Sequence, residues 1–328
     1  MKKEKVFIGI DVSKLTLDIC IVKNTTTSLV IKNNKTDIKK FLNEETKGSS
    51  EVYLCIENTG KYGWLITELA PDYLTNFYII NPLHLKRSMG LIRGKNDKID
   101  AVRIAQFIKR NYQEEVCYVR ERSLITALKV LLSERGYKVK SKTQLKVKNK
   151  DIEVISDKKL AKKLIKSNLK LIVTLEQQIK EIELEIKRLI ESDKQLKQHS
   201  YLLKSIPGVG DILSTSLIIK TNEFKSITDP RKLACYCGVV PFENRSGTSI
   251  FGKKRLSLLA DKKIKKVLHL GAMRAIQMEN DFRVYYIRKV KEGKNKMSVL
   301  NAIRNKIIHT AYALIKNQEL FQNRLVLS

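Results

Sequence analysis

The chain has 328 residues, 43% of them hydrophobic, which is enough for two or three domains with their own cores and excludes a disordered protein. Sixty-four Lys and Arg against 34 Asp and Glu leave a net charge of +30, spread from end to end. Such an excess repels itself unless a polyanion is bound, so nucleic acid is the expected partner and a membrane surface the weaker alternative. No apolar run approaches transmembrane length, and in the basic start MKKEKVFIGID the acid Asp11 interrupts the apolar stretch too early for a signal peptide. Five cysteines (Cys20, Cys55, Cys117, Cys235 and Cys237) make no CxxC pair and no zinc spacing with the four histidines. Reduced, cytoplasmic thiols are expected, with CYC a buried small-residue helix face.

The first third alternates strands and helices. KVFIGIDVS reads as a buried strand, LTLDICIVK as a partly exposed one and TSLVIKNN as a third, with links short enough for an antiparallel meander. TDIKKFLNEE is a short helix opened by a capping threonine, Thr36. SEVYLCIENTG is another apolar strand, ending at Glu57. The helix YGWLITELA, the strand NFYIINP and a helix beginning in GKNDKIDAVRIAQF follow. The order predicts an α/β layer fold over residues 1–155.

From about Leu124 to Leu203 the strands stop and Lys- and Glu-rich helical sequence takes over. Ile172, Leu175, Ile179, Ile182, Ile186 and Leu189 are spaced alternately by three and four residues, a heptad seam that Ile165 and Asn168 extend upstream. That predicts a coiled coil over 156–198, with the seam expected to take a helix from a second copy rather than from its own chain. A mainly helical domain over 199–328 comes next. In LLKSIPGVGDILSTSLIIK two helices meet at a Pro-Gly turn, which fits a phosphate cradle and a plain connector equally well. ENRSGTSIFGKKRLS reads as a loop crowded with Arg245, Lys253, Lys254 and Arg255, before a basic helix with Lys262, Lys263, Lys265 and Lys266.

Four acids stand out in this basic chain. Asp97 and Asp100 are three apart, so they share one helical face. Alone, they read as acids favoured at a helix start by its dipole. Asp11, however, closes the first strand and Glu57 the fourth, where an apolar sheet would favour valine. Neighbouring strands ending in carboxylates bring those groups to one sheet edge, and four converging acids need a cation to coexist. An all-oxygen donor set selects Mg²⁺ or Mn²⁺. In a strongly basic protein such ions suit a scissile phosphate.

Asp11 after GI, Glu57 before NTG, and DKIDA at 97–101 resemble the DEDD transposases of bacterial insertion sequences. SIPGVG, GVVPFENRSGTSIFGKKRLS and KKVLHLGAM resemble the same family's C-terminal transposase domain. Two departures are visible: Ala260 stands where a glycine is usual, and the basic helix carries lysines where arginines are common. The resemblance implies an N-terminal RuvC-like, ribonuclease-H-type domain, a helical coiled coil, and a mainly α transposase domain with a helix-hairpin-helix-like start. It implies an RNA-guided recombinase in which Ser246 attacks a DNA phosphate and forms a transient phosphoserine link, while Asp11, Glu57, Asp97 and Asp100 hold Mg²⁺. The implied partners are donor and target double-stranded DNA, a structured bridge RNA and further copies of the chain as a dimer or tetramer, in the cytoplasm of a bacterium at the nucleoid. Base pairing would then choose the sequence, as in RNA-guided nucleases. From the residues alone, SG in a loop is a turn, and only the resemblance lifts Ser246 above Ser249 and Ser257.

Three other readings compete. A RuvC-type junction endonuclease would use the same acids with activated water, but leaves the C-terminal domain without a role. A tyrosine recombinase can be argued from RNKIIHTAYALI, where Arg304, His309 and Tyr312 share a helix, although the same spacing suits a core helix built on Ile307, Ile308 and Ala311. A non-catalytic RNA- or DNA-binding protein explains the charge and leaves the acids unexplained.

Overall fold

A computed structural model describes residues 4–48, 50–88, 97–246, 250–256 and 259–323, with the side chains of 243–255 outside that description. It forms two compact units that divide between Arg120 and Glu121. The helix that opens the second unit packs along its neighbour in sequence.

The first unit is a five-stranded sheet. β1 (Lys5–Val12), β2 (Thr16–Val22) and β3 (Thr26–Lys32) form the expected antiparallel meander. Then come α1 (Lys35–Thr46), β4 (Glu51–Glu57), α2 (Trp64–Leu69), β5 (Phe77–Ile80), α3 (Pro82–Ser88) and α4 (Asp97–Asn111). β4 and β5 add in parallel, giving the order β3-β2-β1-β4-β5. Helices cover both faces, so β1, β2 and β4 are nearly continuous buried runs, which corrects the expectation of a partly exposed β2, whereas β3 at the sheet edge is mostly exposed. Val6, Ile8 and Ile10 of β1 pack with Leu54 and Ile56 of β4 on the α1 and α2 side, while Phe7, Cys20, Tyr53 and Cys55 face α4. Each fully buried Ile or Leu here contributes about 1.5–3 kcal/mol. The cap of α1 is Asn34, whose side chain accepts from the Asp37 N–H at 2.8 Å, and Thr36 lies inside the helix. Asparagine is the stronger cap, and its position leaves the first turn's donors aimed at it.

The second unit begins with α5 (Ser123–Glu153) and α6 (Lys158–Glu191). Contacts between them run antiparallel: Arg135 meets Glu183, Lys142 meets Glu176, and Asn149 accepts from Asn168 at 2.8 Å. Ile172, Ile179 and Ile186 of the heptad seam are buried against this hairpin partner. The expectation that a second copy fills the seam is therefore corrected: the connection of a few residues makes the chain's own α5 the nearer partner, at far smaller entropic cost. The asparagine that interrupts the seam pairs with another asparagine of the same chain.

A helical core follows, made of α7 (Lys194–Lys204), α8 (Asp211–Lys220), α9 (Pro230–Tyr236), α10 (Lys262–Ala275), α11 (Asp281–Lys291) and α12 (Lys296–Asn317). Within PGVG, Gly208 has a positive φ of 82°, and a Cβ there would lie 2.1 Å from the Gly271 carbonyl of α10. The glycine serves close helix packing, and Lys204 pairs with Asp211 at the start of α8, so this turn is the connector of the two readings. Of CYC, expected as a buried helix face, Cys237 is buried as the C-cap of α9, whereas Cys235 is only partly buried and Tyr236 is exposed. Tyr312 donates its hydroxyl to the Ile227 carbonyl at 2.6 Å, and Ile307, Ile308 and Ala311 are fully buried, which makes α12 a core helix. The stretch expected as a basic loop instead forms a hairpin of β6 (Pro241–Ser246) and β7 (Ile250–Leu256) with a bulge near Phe242. The two strands pair although their sequence is largely polar, which masks them as a loop when it is read alone. No helix among the described residues is long and apolar enough to cross a membrane.

Candidate metal centre and nucleic-acid interface

Gly9 builds the site before any acid does. A Cβ at this position would lie 2.2 Å from the Ala105 nitrogen and 2.4 Å from the Ala101 oxygen, so α4 lies with its backbone directly on β1. Asp11 is two residues on and therefore on the same face of the sheet. One turn before Ala101, the first turn of α4 carries Asp97 and Asp100 over that strand end. Carboxylate oxygens of Asp11, Asp97 and Asp100 all lie within 4.8 Å of one another.

Glu57 closes β4 as expected. Ile10 pairs with Ile56 in parallel register, so Asp11 and Glu57 are the next residues on adjoining strands. Glu57 stays outside the group of three but acts on it by charge. The Asp11 carboxyl is pushed up to about 6, first by burial and then by Asp97, Asp100 and Glu57. Arg103, one turn along α4, holds Asp100 at 2.6 Å.

A fifth acid went unnoticed in the sequence. Asp18 of β2 lies directly opposite Asp11 in the antiparallel register, and its carboxyl is raised by burial and by Asp97, while Lys98 draws it down. Its signal was an acid within TLDICIV, where a buried strand would carry an apolar residue. The donor set is all oxygen and crowded, which fits a hard divalent ion. Such an ion would be held by Asp11, Asp97 and Asp100, with Glu57 within reach of the same strand edge.

The second unit holds the other expected residues. Ser246 ends β6 and pairs with Ile250, and Arg245, Lys253, Lys254 and Arg255 lie on the same two strands. Their side chains fall outside the described residues. Lys262, Lys263 and Lys266 are exposed on α10, and Lys265 is half-buried. Asp261 caps that helix and is bound by Lys220 at 2.6 Å.

A mixed sheet covered by helices, with carboxylates gathered at the ends of β1 and β4 and a separate helical unit, defines a DEDD-type, RuvC-like transposase. Residues 8–152 match the family model of DEDD transposases of IS110 type, and residues 200–287 match that described as Transposase IS116/IS110/IS902 family. The chain belongs to this family of transposases. Across 98% of its length it is 24% identical to the pilin gene-inverting proteins of Moraxella bovis and Moraxella lacunata, covering 99% of each. Over 154 residues, 47% of this chain and 37% of the relative, it is 25% identical to the insertion element IS110 uncharacterized 43.6 kDa protein of Streptomyces coelicolor.

Proposed function

We propose that the protein is an RNA-guided DNA recombinase that cuts and rejoins donor and target DNA through a serine–phosphate intermediate. The observation that carries this reading is the acid group of Asp11, Asp97 and Asp100, assembled at a strand edge in a transposase-family chain. Bound Mg²⁺, or Mn²⁺, would neutralise the carboxylates and polarise a phosphate oxygen there. Asp11, Glu57, Asp97 and Asp100 act as its ligands. The Ser246 hydroxyl attacks the DNA phosphorus, a strand oxygen leaves, and a second strand end reverses the exchange to rejoin. Arg245, Lys253, Lys254 and Arg255, with Lys262, Lys263, Lys265 and Lys266, draw in the phosphates. The net charge of +30 supports a structured guide RNA as a further polyanion. Assembly into a dimer or tetramer rests on different residues from the heptad seam: Leu164 and Leu171, one turn-pair apart on α6, remain exposed after α5 has packed.

The test is cleavage of DNA carrying the element's own junctions, with its flanking non-coding RNA supplied. Asp100→Asn should lower strand cleavage by about a thousandfold or more while DNA binding stays near normal. Wild type should leave a covalent protein–DNA adduct that Ser246→Ala lacks. Cleavage without an adduct would instead favour the junction endonuclease, and cleavage that ignores divalent ions would remove the metal centre.

A further inference from the structure

Arg304, set aside above as part of a core helix, poses a problem that the core does not solve. It lies in α12 only 6% exposed, and its Nε has no hydrogen-bond partner. Among the described residues no carboxylate pairs with it, and the buried amide oxygens of Asn301 and Asn305 on either side do not accept from it. An uncompensated buried cation is costly, so a native protein that keeps one has a reason to do so.

The groups facing it are basic too. Lys265 and His269 are four residues apart on α10, hence on one face, and α10 packs against α12. Both are pushed down, by burial first and by the Arg304 charge second, and the Nδ1 of His269 is also buried without a partner. The nearest carboxylate along α10, Asp261, is occupied in capping its helix and binding Lys220. Lys265 and His269 are half-buried, so the cluster is reached from solvent at α10 and ends at Arg304. Asn301 donates to the Val239 carbonyl at 2.6 Å, which ties this part of α12 to the segment leading into β6.

We propose that Arg304, Lys265 and His269 form a built anion site that takes one phosphate group of a nucleic-acid backbone. The inference rests on the reading that the protein acts on nucleic acid. A guanidinium fork matches two phosphate oxygens, a lysine adds a point charge, and an imidazole N–H supplies a further donor. The bound anion is the counter-charge that the fold withholds, and the site stands at the root of the hairpin that carries Ser246.

The experiment measures binding of a duplex DNA and of a single-stranded RNA across a salt series, with melting of the ligand-free full chain alongside. Arg304→Met should melt at or above wild type, since an unpaired buried charge is removed. Its affinity should fall by about tenfold or more. Its salt slope should become shallower by about 0.9 for duplex DNA or about 0.7 for a single strand, the share of one phosphate. The nucleic acid whose slope changes is the one that supplies the phosphate. Arg304→Lys should fall between, keeping charge without the fork. Should Arg304→Met not fold, Lys265→Gln, at a half-buried position, reads the same loss. An Arg304→Met protein that melts several degrees lower with unchanged affinity and slope would make Arg304 structural and overturn the proposal. Inorganic phosphate that stabilises wild type but not Arg304→Met, with neither nucleic acid affected by the substitution, would assign the site to a free anion and also overturn it. Wild type that binds neither nucleic acid would sink the recombinase reading itself, whereas normal binding insensitive to all three variants sinks only this site.

Discussion

On the α4 face of the sheet, Asp11, Asp97 and Asp100 bring carboxylate oxygens within 4.8 Å, whereas between α10 and α12 Arg304 lies buried beside Lys265 and His269. Each cluster gathers like charges: burial and then neighbouring charge push Asp11 up in the first and Lys265 and His269 down in the second, and burial pushes Arg304 down. They differ in how they are made. The acids come from two separate pieces of chain, β1 and α4, and meet because a glycine lets a helix sit on a strand. The cations come from two packed helices, and the most costly of them lies inside the helical core. One cluster is thus held by backbone proximity, the other by core packing around a charge. On the proposed readings, a cation would complete the first and an anion the second.

The largest expected effect comes from the backbone contact. Gly9→Val would drive its side chain into the Ala101 and Ala105 backbone of α4, where even a Cβ has no room. It should cost about 3 kcal/mol or more in urea denaturation, and it should disperse the acids so that divalent-ion affinity measured by calorimetry collapses. A stably folded Gly9→Val protein with wild-type ion affinity would break the claim that this approach assembles the site.

Relieving the acid cluster should act in the opposite direction. Because the Asp11 carboxyl is raised to about 6, against about 3.9 in an unfolded chain, its contribution is fully present below pH 4. That contribution is lost as pH rises through 6. Without divalent ions, Asp11→Asn should therefore gain about 1–2 kcal/mol over wild type at pH 7, once the screening of a half-exposed carboxylate is allowed for, and the gain should vanish near pH 4. Denaturation at the two pH values checks it, and a gain independent of pH would mean that charge is not what strains the site. Set beside Arg304→Met, this variant asks whether both clusters trade stability for a ligand.

The smallest effect is a control on α12. Tyr312→Phe removes the hydroxyl that donates to Ile227 and should cost about 1 kcal/mol in thermal or chemical melting, with DNA cleavage and adduct formation unchanged. Loss of the adduct in this variant would return the tyrosine-recombinase reading and separate α12's role from the charge on Arg304.

Much of the first unit was legible because its signals are local. A run of alternating apolar segments gave the strands, and acids at strand ends and in a helix's first turn stood out against apolar or basic surroundings. Asp18 was missed for want of register: only the pairing of β1 with β2 sets it opposite Asp11. The hairpin of β6 and β7 was hidden because its polar composition resembles a loop, and strand pairing is a relation between two segments that neither announces alone.

Sequence by itself determined the charge, the heptad period of α6 and the identity of the acids, because these are properties of residues and their spacing. Tertiary structure decided what each one meets. The seam from Ile172 to Ile186 specifies an apolar stripe but cannot say whose helix covers it, and chain connectivity gave it to α5. Arg304 reads as one more basic residue in a basic chain until α10 closes over it and leaves its Nε without an acceptor. Burial and partnership depend on contacts between distant segments, and those the folded chain alone supplies.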